Sequence, residues 1–407
     1  MNQDVMKYDG TIVPITELKK DDELLGLNGK PVKVIKIEKS NQDLFEIVQK
    51  QGDPFVATYT HPLVLKFTSV QGIFWNDKRK QYKARYIRNL KVIDAAFTMS
   101  AKKRGMSEKA QEKFKKELFD EATEFLEDMK KKDGYCKGGD ILVISLRDYL
   151  ELPKNVKRIL YCFKQQVEYI KNDIDLDAYM LGAWLGDGTS SKPEITNIDK
   201  ELIEYIKKYA VDNSLKITIS PSKKITYRYA GSDKEHPNVL WNQLKSNNLV
   251  NNKHIPQKYL LSDRKTRLQV LAGLLDTDGY LYNNTYEITQ KNTVLANNIV
   301  TLSRSLGFRT SITKVTKDCV KPNGTRISGI YNRTNISGVG LEEIPTLLPR
   351  KKAKIATKGT DFLISQFTVT EIKDKKESIK IWLSNSDGLF FGKDFTVMHD
   401  SSPIAKK

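Results

Sequence analysis

Apolar positions recur along the chain with two different periods. Over residues 1–66 they alternate with polar ones, as in Val32-Lys33-Val34-Ile35-Lys36-Ile37, and Asp9-Gly10 and Asn28-Gly29 supply turns. That is a pattern of short strands. It returns from about residue 358, in Phe367-Thr368-Val369-Thr370 and Ile379-Lys380-Ile381-Trp382-Leu383, before a tail at 401–407. Between 107 and 129 the spacing is helical instead, with Phe114, Leu118, Phe119, Ala122, Phe125, Leu126 and Met129 on one face. Residues 176–355 hold an internal repeat. Leu181-Gly182-Ala183-Trp184-Leu185-Gly186-Asp187-Gly188 is echoed by Leu271-Ala272-Gly273-Leu274-Leu275-Asp276-Thr277-Asp278-Gly279. The same tripeptide follows each, as Glu194-Ile195-Thr196 and Glu287-Ile288-Thr289. Helices are then predicted over 200–212 and 294–306, and strands over 215–219 and 308–312. Two copies of helix–strand–helix–strand predict a pseudo-twofold domain.

Composition narrows the partners. The 407 residues are enough for two to four domains, and 39% hydrophobic with 29% charged residues is ordinary for a globular protein. Lys and Arg number 68 against 50 Asp and Glu, a net charge of +18 that favours a polyanion, nucleic acid first. Basic runs at Lys78-Arg79-Lys80, Lys102-Lys103-Arg104 and Lys130-Lys131-Lys132 concentrate in 67–175, and aromatics interleave with cations over 75–88. That segment is the candidate DNA surface. Cys136, Cys162 and Cys319 are too few and too scattered for a disulfide framework or a thiolate zinc site. The polar start Met1-Asn2-Gln3-Asp4-Val5 has no signal-peptide core, and no apolar run is long enough for a membrane span. We expect an intracellular protein, nuclear if the host is eukaryotic, with double-stranded DNA as partner and no membrane.

The repeated motifs carry the candidate chemistry. Each is an apolar helix closed by Asp-Gly, with small residues that allow close helix approach and with Gly188 and Gly279 at the position of a left-handed cap. An acid at a helix C-terminus faces the negative end of the dipole. Two such helices side by side bring Asp187 and Asp278 together, and a hard divalent cation, Mg²⁺, relieves both problems. A metal between two acids and a phosphodiester polarises phosphoryl oxygens and activates water.

With these motifs the chain resembles the LAGLIDADG homing endonucleases. LAGLLDTDG is one conservative step from the family consensus, and LGAWLGDG is similar to the diverged first motif of the intein-encoded and mating-type-switching nucleases of yeasts. The resemblance implies two αββαββα units whose sheets straddle DNA, metal-binding roles for Asp187 and Asp278, and a structural role for Asp276. It also implies catalytic lysines. One is Lys253, in Lys253-His254-Ile255-Pro256, and the other is assigned to Lys352 of Arg350-Lys351-Lys352, with Lys351 adjacent. Such a chain is expected as a monomer with internal pseudo-twofold symmetry.

The flanks resemble the Hint domain of inteins. Val5 to Gly10 is similar to the early intein strand, Thr58-Tyr59-Thr60-His61 to the TxxH motif, and Met398-His399-Asp400-Ser401 to the C-terminal splice junction. Two departures argue for a splicing-dead remnant. Met1-Asn2-Gln3 offers no thiol or hydroxyl nucleophile, and Asp400 stands where an Asn would cyclise. The implied fold class is α+β, an all-β Hint domain split by insertion of a pseudo-twofold αββαββα endonuclease domain. The parts are a Hint N-terminal part (1–66), a basic DNA-recognition insert (67–175), the two-repeat endonuclease (176–357) and a Hint C-terminal part (358–407). The expected activity is Mg²⁺-dependent double-strand cleavage at a long asymmetric site. Alternatives are an intein with autoprocessing activity and a non-catalytic DNA-binding protein on the same fold.

Overall fold

The computed structural model describes residues 4–68, 71–220, 225–320, 326–356, 361–373 and 377–403. The opening Met1-Asn2-Gln3, the end of the tail at 404–407 and the expected boundary at 357/358 lie outside the described residues.

The two ends of the chain are interleaved in antiparallel β pairs. Pro31–Asn41 pairs with Glu377–Leu383 on one side and Glu23–Leu25 on the other. Leu44–Gln49 pairs with Phe367–Ile372 and Phe55–Thr58, and Leu389–Phe391 pairs with Val397–His399. Alternation accounts for this: Val32 and Val34 face a core with Leu24, Ile381 and Leu383, while Lys33 and Lys36 point outward. One expected boundary moves. Pro62–Phe67 pairs with both Ile141–Ser145 and Leu160–Phe163, and the latter pairs with Ile364–Ser365. Residues 141–163 therefore belong to the β layer of the chain ends. Residues 72–136 form a separate sheet, in which Gly72–Asn76, Lys91–Thr98 and Tyr135–Cys136 pair with Gln81–Arg88, and Ile87 buries it into the core of the chain-end layer beside Phe45 and Leu65. Helix α1 (Glu108–Met129) lies across that sheet through Tyr82–Phe119, Tyr86–Phe125 and Phe97–Phe125 ring contacts.

The repeat forms the largest core. Its first unit contains α2 (Ala178–Asp187), Glu194–Thr196, α3 (Lys200–Asp212), Leu215–Ile219, Thr226–Gly231 and α4 (Val239–Ser246). The second contains α5 (Arg264–Asp278), Gly279–Tyr282, Thr285–Gln290, α6 (Thr293–Ser305), Arg309–Val320 and Arg326–Ser337. The expected αββαββα order is present with two reductions. The first strand of unit one is a single bridge, Gly188 to Ile195, at the place where unit two pairs Gly279 with Ile288. The last helix of unit two is a 3₁₀ turn, Leu341–Glu343. Side-chain caps start the motif helices: Asp177 accepts from the Met180 N–H, and Asp263 from that of Thr266. Gly188 and Gly279 are extended (φ −75° and −81°), not left-handed, because each leads directly into β pairing.

Helices α2 and α5 are buried along most of their length and meet through their glycines. A Cβ on Gly182 would lie 2.2 Å from the Val270 carbonyl oxygen, and one on Gly273 would lie 2.3 Å from that of Tyr179. Those neighbours are backbone and cannot rotate away. Gly182→Ala and Gly273→Ala are each expected to lower stability by about 3 kcal/mol, the upper part of the range for overpacking. Denaturant unfolding measures this, and a loss within about 0.5 kcal/mol, the scatter of surface changes, would contradict the contact.

Candidate active site between the repeated helices

The glycine contact brings the C-terminal ends of α2 and α5 together, and with them Asp187 and Asp278. Asp187 is half-buried and Asp278 is solvent-exposed. Desolvation by surrounding protein pushes both carboxyls above their ordinary range, and the charge of Asp278 adds to the rise at Asp187. Each is held by one amide: Asn197 Nδ2 donates to Asp187 Oδ2 at 2.6 Å, and Gln290 Nε2 to Asp278 Oδ2 at 2.5 Å. Asn197 and Gln290 directly follow the repeated Glu-Ile-Thr tripeptides, so they are repeat equivalents. The reading of the sequence missed them, although an amide after both tripeptides was the available signal. Among the described residues, the Oδ1 atom of each aspartate carries no hydrogen bond, so each offers a hard oxygen donor. No cluster of three or more His, Cys, Asp or Glu side chains suits a metal among those residues. An ion at this site would draw its remaining ligands from water or phosphate, as Mg²⁺ commonly does.

A lysine sits at each helix end. Lys253 Nζ donates to the carbonyl oxygens of Leu185, Gly186 and Gly188 at 2.9, 3.1 and 2.7 Å. Lys351 Nζ donates to those of Leu275, Asp276 and Thr277 at 2.9, 2.7 and 3.2 Å. These ammonium groups satisfy the open carbonyls at the helix ends and offset the negative end of each dipole. Burial lowers Lys253 to about 8 against the opposing pull of Asp278 and Asp187. Burial also lowers Lys351. The assignment of Lys352 to this position is corrected: Lys352 is exposed, and Lys351 occupies the place equivalent to Lys253. Asp276 points away from the shared site. It is fully buried and accepts from Tyr179 Oη and from the Leu347 and Leu348 amides at 2.7, 2.6 and 3.3 Å.

The aromatics and cations of 75–88 are largely spent inside the fold. Trp75 and Tyr82 contact each other, Lys115 of α1 lies over the Trp75 ring, and Arg85 holds Asp94 through two bonds. More of the open aromatic surface lies on the second sheet of the repeat domain, where Tyr280 and Tyr282 are 63% and 65% exposed with nearly parallel rings.

The remaining motif residues gather in the β layer of the chain ends. Thr58, His61, His399 and Ser401 line one cavity of about 110 Å³. His399 Nδ1 lies 3.1 Å from Asp400 Oδ1. Asp400 also accepts from the Leu383 amide and from Ser402, and these bonds, opposed by burial, hold its carboxyl below the ordinary range. His61 is lowered to about 4 by burial first and by the neighbouring His399 second, and is therefore neutral at pH 7. Hydrogen bonds to Asp400 raise His399 against the cost of burial. Cys136 and Cys162 are free thiols. Among the described residues, no helix is long and apolar enough to cross a membrane.

Comparison with known proteins gives partial matches to this chain. Residues 254–347 match the family model described as homing endonuclease. The chain is 34% identical over 132 residues, 32% of its length, to the replicative DNA helicase DnaB of Mycobacterium intracellulare. It is 27% identical over 217 residues, 43% of its length, to the homothallic switching endonuclease of Saccharomyces cerevisiae. These matches span only 19% and 37% of the two relatives. Among solved structures, I-DmoI in complex with DNA and Ca matches at 19% identity, with a TM-score of 0.27, over 40% of this chain and 82% of that one.

Proposed function

We propose that the chain is a LAGLIDADG homing endonuclease, a site-specific DNA endonuclease that makes a double-strand break; the homing endonuclease match over residues 254–347 supports this reading. The observation that carries this reading is the paired site itself: two aspartates at joined helix ends, each with an amide donor on one oxygen and a lysine at the adjacent helix end. Asp187 and Asp278 would hold a divalent ion, Mg²⁺ in our reading, and the hard, incompletely bonded oxygen donors fit one. The bound ion would polarise the phosphoryl oxygens and lower the pKa of water. The chain's own contribution is placement. Asn197 and Gln290 fix which carboxylate oxygen faces inward. Lys253 and Lys351 carry positive charge to where the phosphoryl group gains negative charge, in surroundings dry enough for that charge to count. The net charge of +18 draws double-stranded DNA to the site, and the open face with Tyr280 and Tyr282 supplies a surface for it.

Asp187→Asn and Asp278→Asn are expected to abolish double-strand cleavage while binding persists. Lys351→Met should slow cleavage by about a hundredfold, and Lys352→Met should leave it within about twofold. Gel analysis of a linearised target against a binding assay reads both. Wild-type cutting by either aspartate variant would refute the two-acid site, and the reverse order of the lysine variants would restore Lys352.

The interleaved chain ends support a Hint-like scaffold, and the gathering of Thr58, His61, His399 and Ser401 at one cavity, with Asp400 against His399, favours descent from a self-processing domain. We read that domain as inactive in splicing. Cyclisation needs an amide nitrogen, and Asp400 offers a carboxylate already engaged by Leu383, Ser402 and His399. Placed between two reporter domains, the chain should remain an intact fusion, and Asp400→Asn should permit slow cleavage beside His399. Mass spectrometry distinguishes the outcomes, and ligated reporters from the unmodified chain would make it a working intein.

A further inference from the structure

The two halves of the site are equivalent in their aspartates, amides and lysines, but the lysines are anchored differently. Two residues before Asp278 the second motif has Asp276, while two residues before Asp187 the first has Leu185. The Asp276 carboxylate binds the Leu347 and Leu348 amides, at the start of the segment that turns through Pro349–Lys351 and delivers Lys351. The Lys351 N–H donates back to the Leu348 carbonyl at 2.9 Å, so the carboxylate fixes the turn from which the ammonium reaches the α5 carbonyls. Tyr179 of α2 adds a third donor to the same carboxylate. Leu185 has no polar atom to play this part. Among these anchors, Lys253 is gripped from the opposite unit alone: Asn292 Nδ2 donates to the Lys253 carbonyl at 2.7 Å, and Asn298 Oδ1 accepts from the Ile255 amide at 3.0 Å. The Lys351 turn has both the Asp276 carboxylate and the Arg350 pair with Asp199 of the first unit.

We infer that Asp276 is a positioning residue for Lys351: both lysine segments are held by the opposite unit, that of Lys351 through Arg350 on Asp199, and the second is also locked by a carboxylate of its own motif helix. The inference rests on the proposed endonuclease reading for its effect on cleavage, though not for its effect on structure. With each half-site serving one strand, loss of the Asp276 anchor should uncouple the two cuts. In Asp276→Leu, which places the first unit's residue in the second, two buried amides and a tyrosine hydroxyl lose their acceptor and the Lys351 turn loosens. Lys253 keeps its amide anchors.

The test has two arms on the full-length protein. In the first, metal-free protein without DNA is pulsed with acetic anhydride, and acetylation of each lysine is followed by mass spectrometry. Asp276→Leu should raise labelling of Lys351 by at least about tenfold, the scale of losing one buried hydrogen bond, and leave Lys253 protected. Asp276→Asn keeps one acceptor oxygen, and its rise should be smaller and confined to Lys351. Asn292→Ala should raise Lys253 and not Lys351. In the second arm, duplexes recovered by wild-type cleavage of a random-sequence library are end-labelled on each strand. Asp276→Leu should slow one strand by about a hundredfold and accumulate nicked duplex, and Asn292→Ala should slow the other. Continued protection of Lys351 in both Asp276 variants, or equal exposure of both lysines, would overturn the assignment. If Asp276→Leu does not fold, the Asp276→Asn result decides by the same criterion. If the wild-type protein cuts no duplex while the labelling pattern holds, the endonuclease reading fails and the positioning role stands.

Discussion

The close approach of α2 and α5 is the constraint from which the rest follows. Only glycine at 182 and 273 lets backbone meet backbone there, and that contact forces two helix C-termini and two carboxylates into one small region. Such a concentration of negative potential is unfavourable. The chain answers with Lys253 and Lys351, each bonded to three terminal carbonyls. Burial lowers both lysines, and their charge opposes, without overcoming, the desolvation that raises the two aspartates. The site is thus assembled by packing and only partly neutralised by its own residues. That residual imbalance is what suits it to a cation and a phosphodiester.

Much of this site was legible in the sequence, because the motif helices are local and their repetition marks them. Asp187 and Asp278 follow from the repeated motif, and Lys253 from the family resemblance. Lys351 could not be separated from Lys352, since the choice depends on a turn whose register is set by Asp276 from 71 and 72 residues away. Asn197 and Gln290 were missed for a different reason. The repeated tripeptide was recognised, but the amide that follows it was not recognised as part of the repeat.

The fold shows the same division between local and distant information. Helix α1 and the helices and strands of the repeat fall close to their predicted limits, since each has its own periodicity. The basic runs of 67–175 look uniform, and the sequence therefore predicts one insert there. Residues 141–163 leave that insert because Ile141–Ser145 and Leu160–Phe163 find partners in Pro62–Phe67, and no local pattern encodes a pairing across so much chain. The aromatics of 75–88 stand as a related lesson. Interleaved cations and rings read as a nucleic-acid surface, yet Trp75, Tyr82 and Lys115 join the small sheet to α1.

We propose that packing of the two repeated helices creates a metal-dependent centre for cutting both strands of DNA. Sequencing the ends produced when the full-length protein and Mg²⁺ act on a random-sequence duplex library tests it most directly. The account predicts double-stranded ends enriched at one long, asymmetric sequence and abolished by chelation of the metal. Library ends indistinguishable from those left by the Asp187→Asn, Asp278→Asn double variant would contradict it.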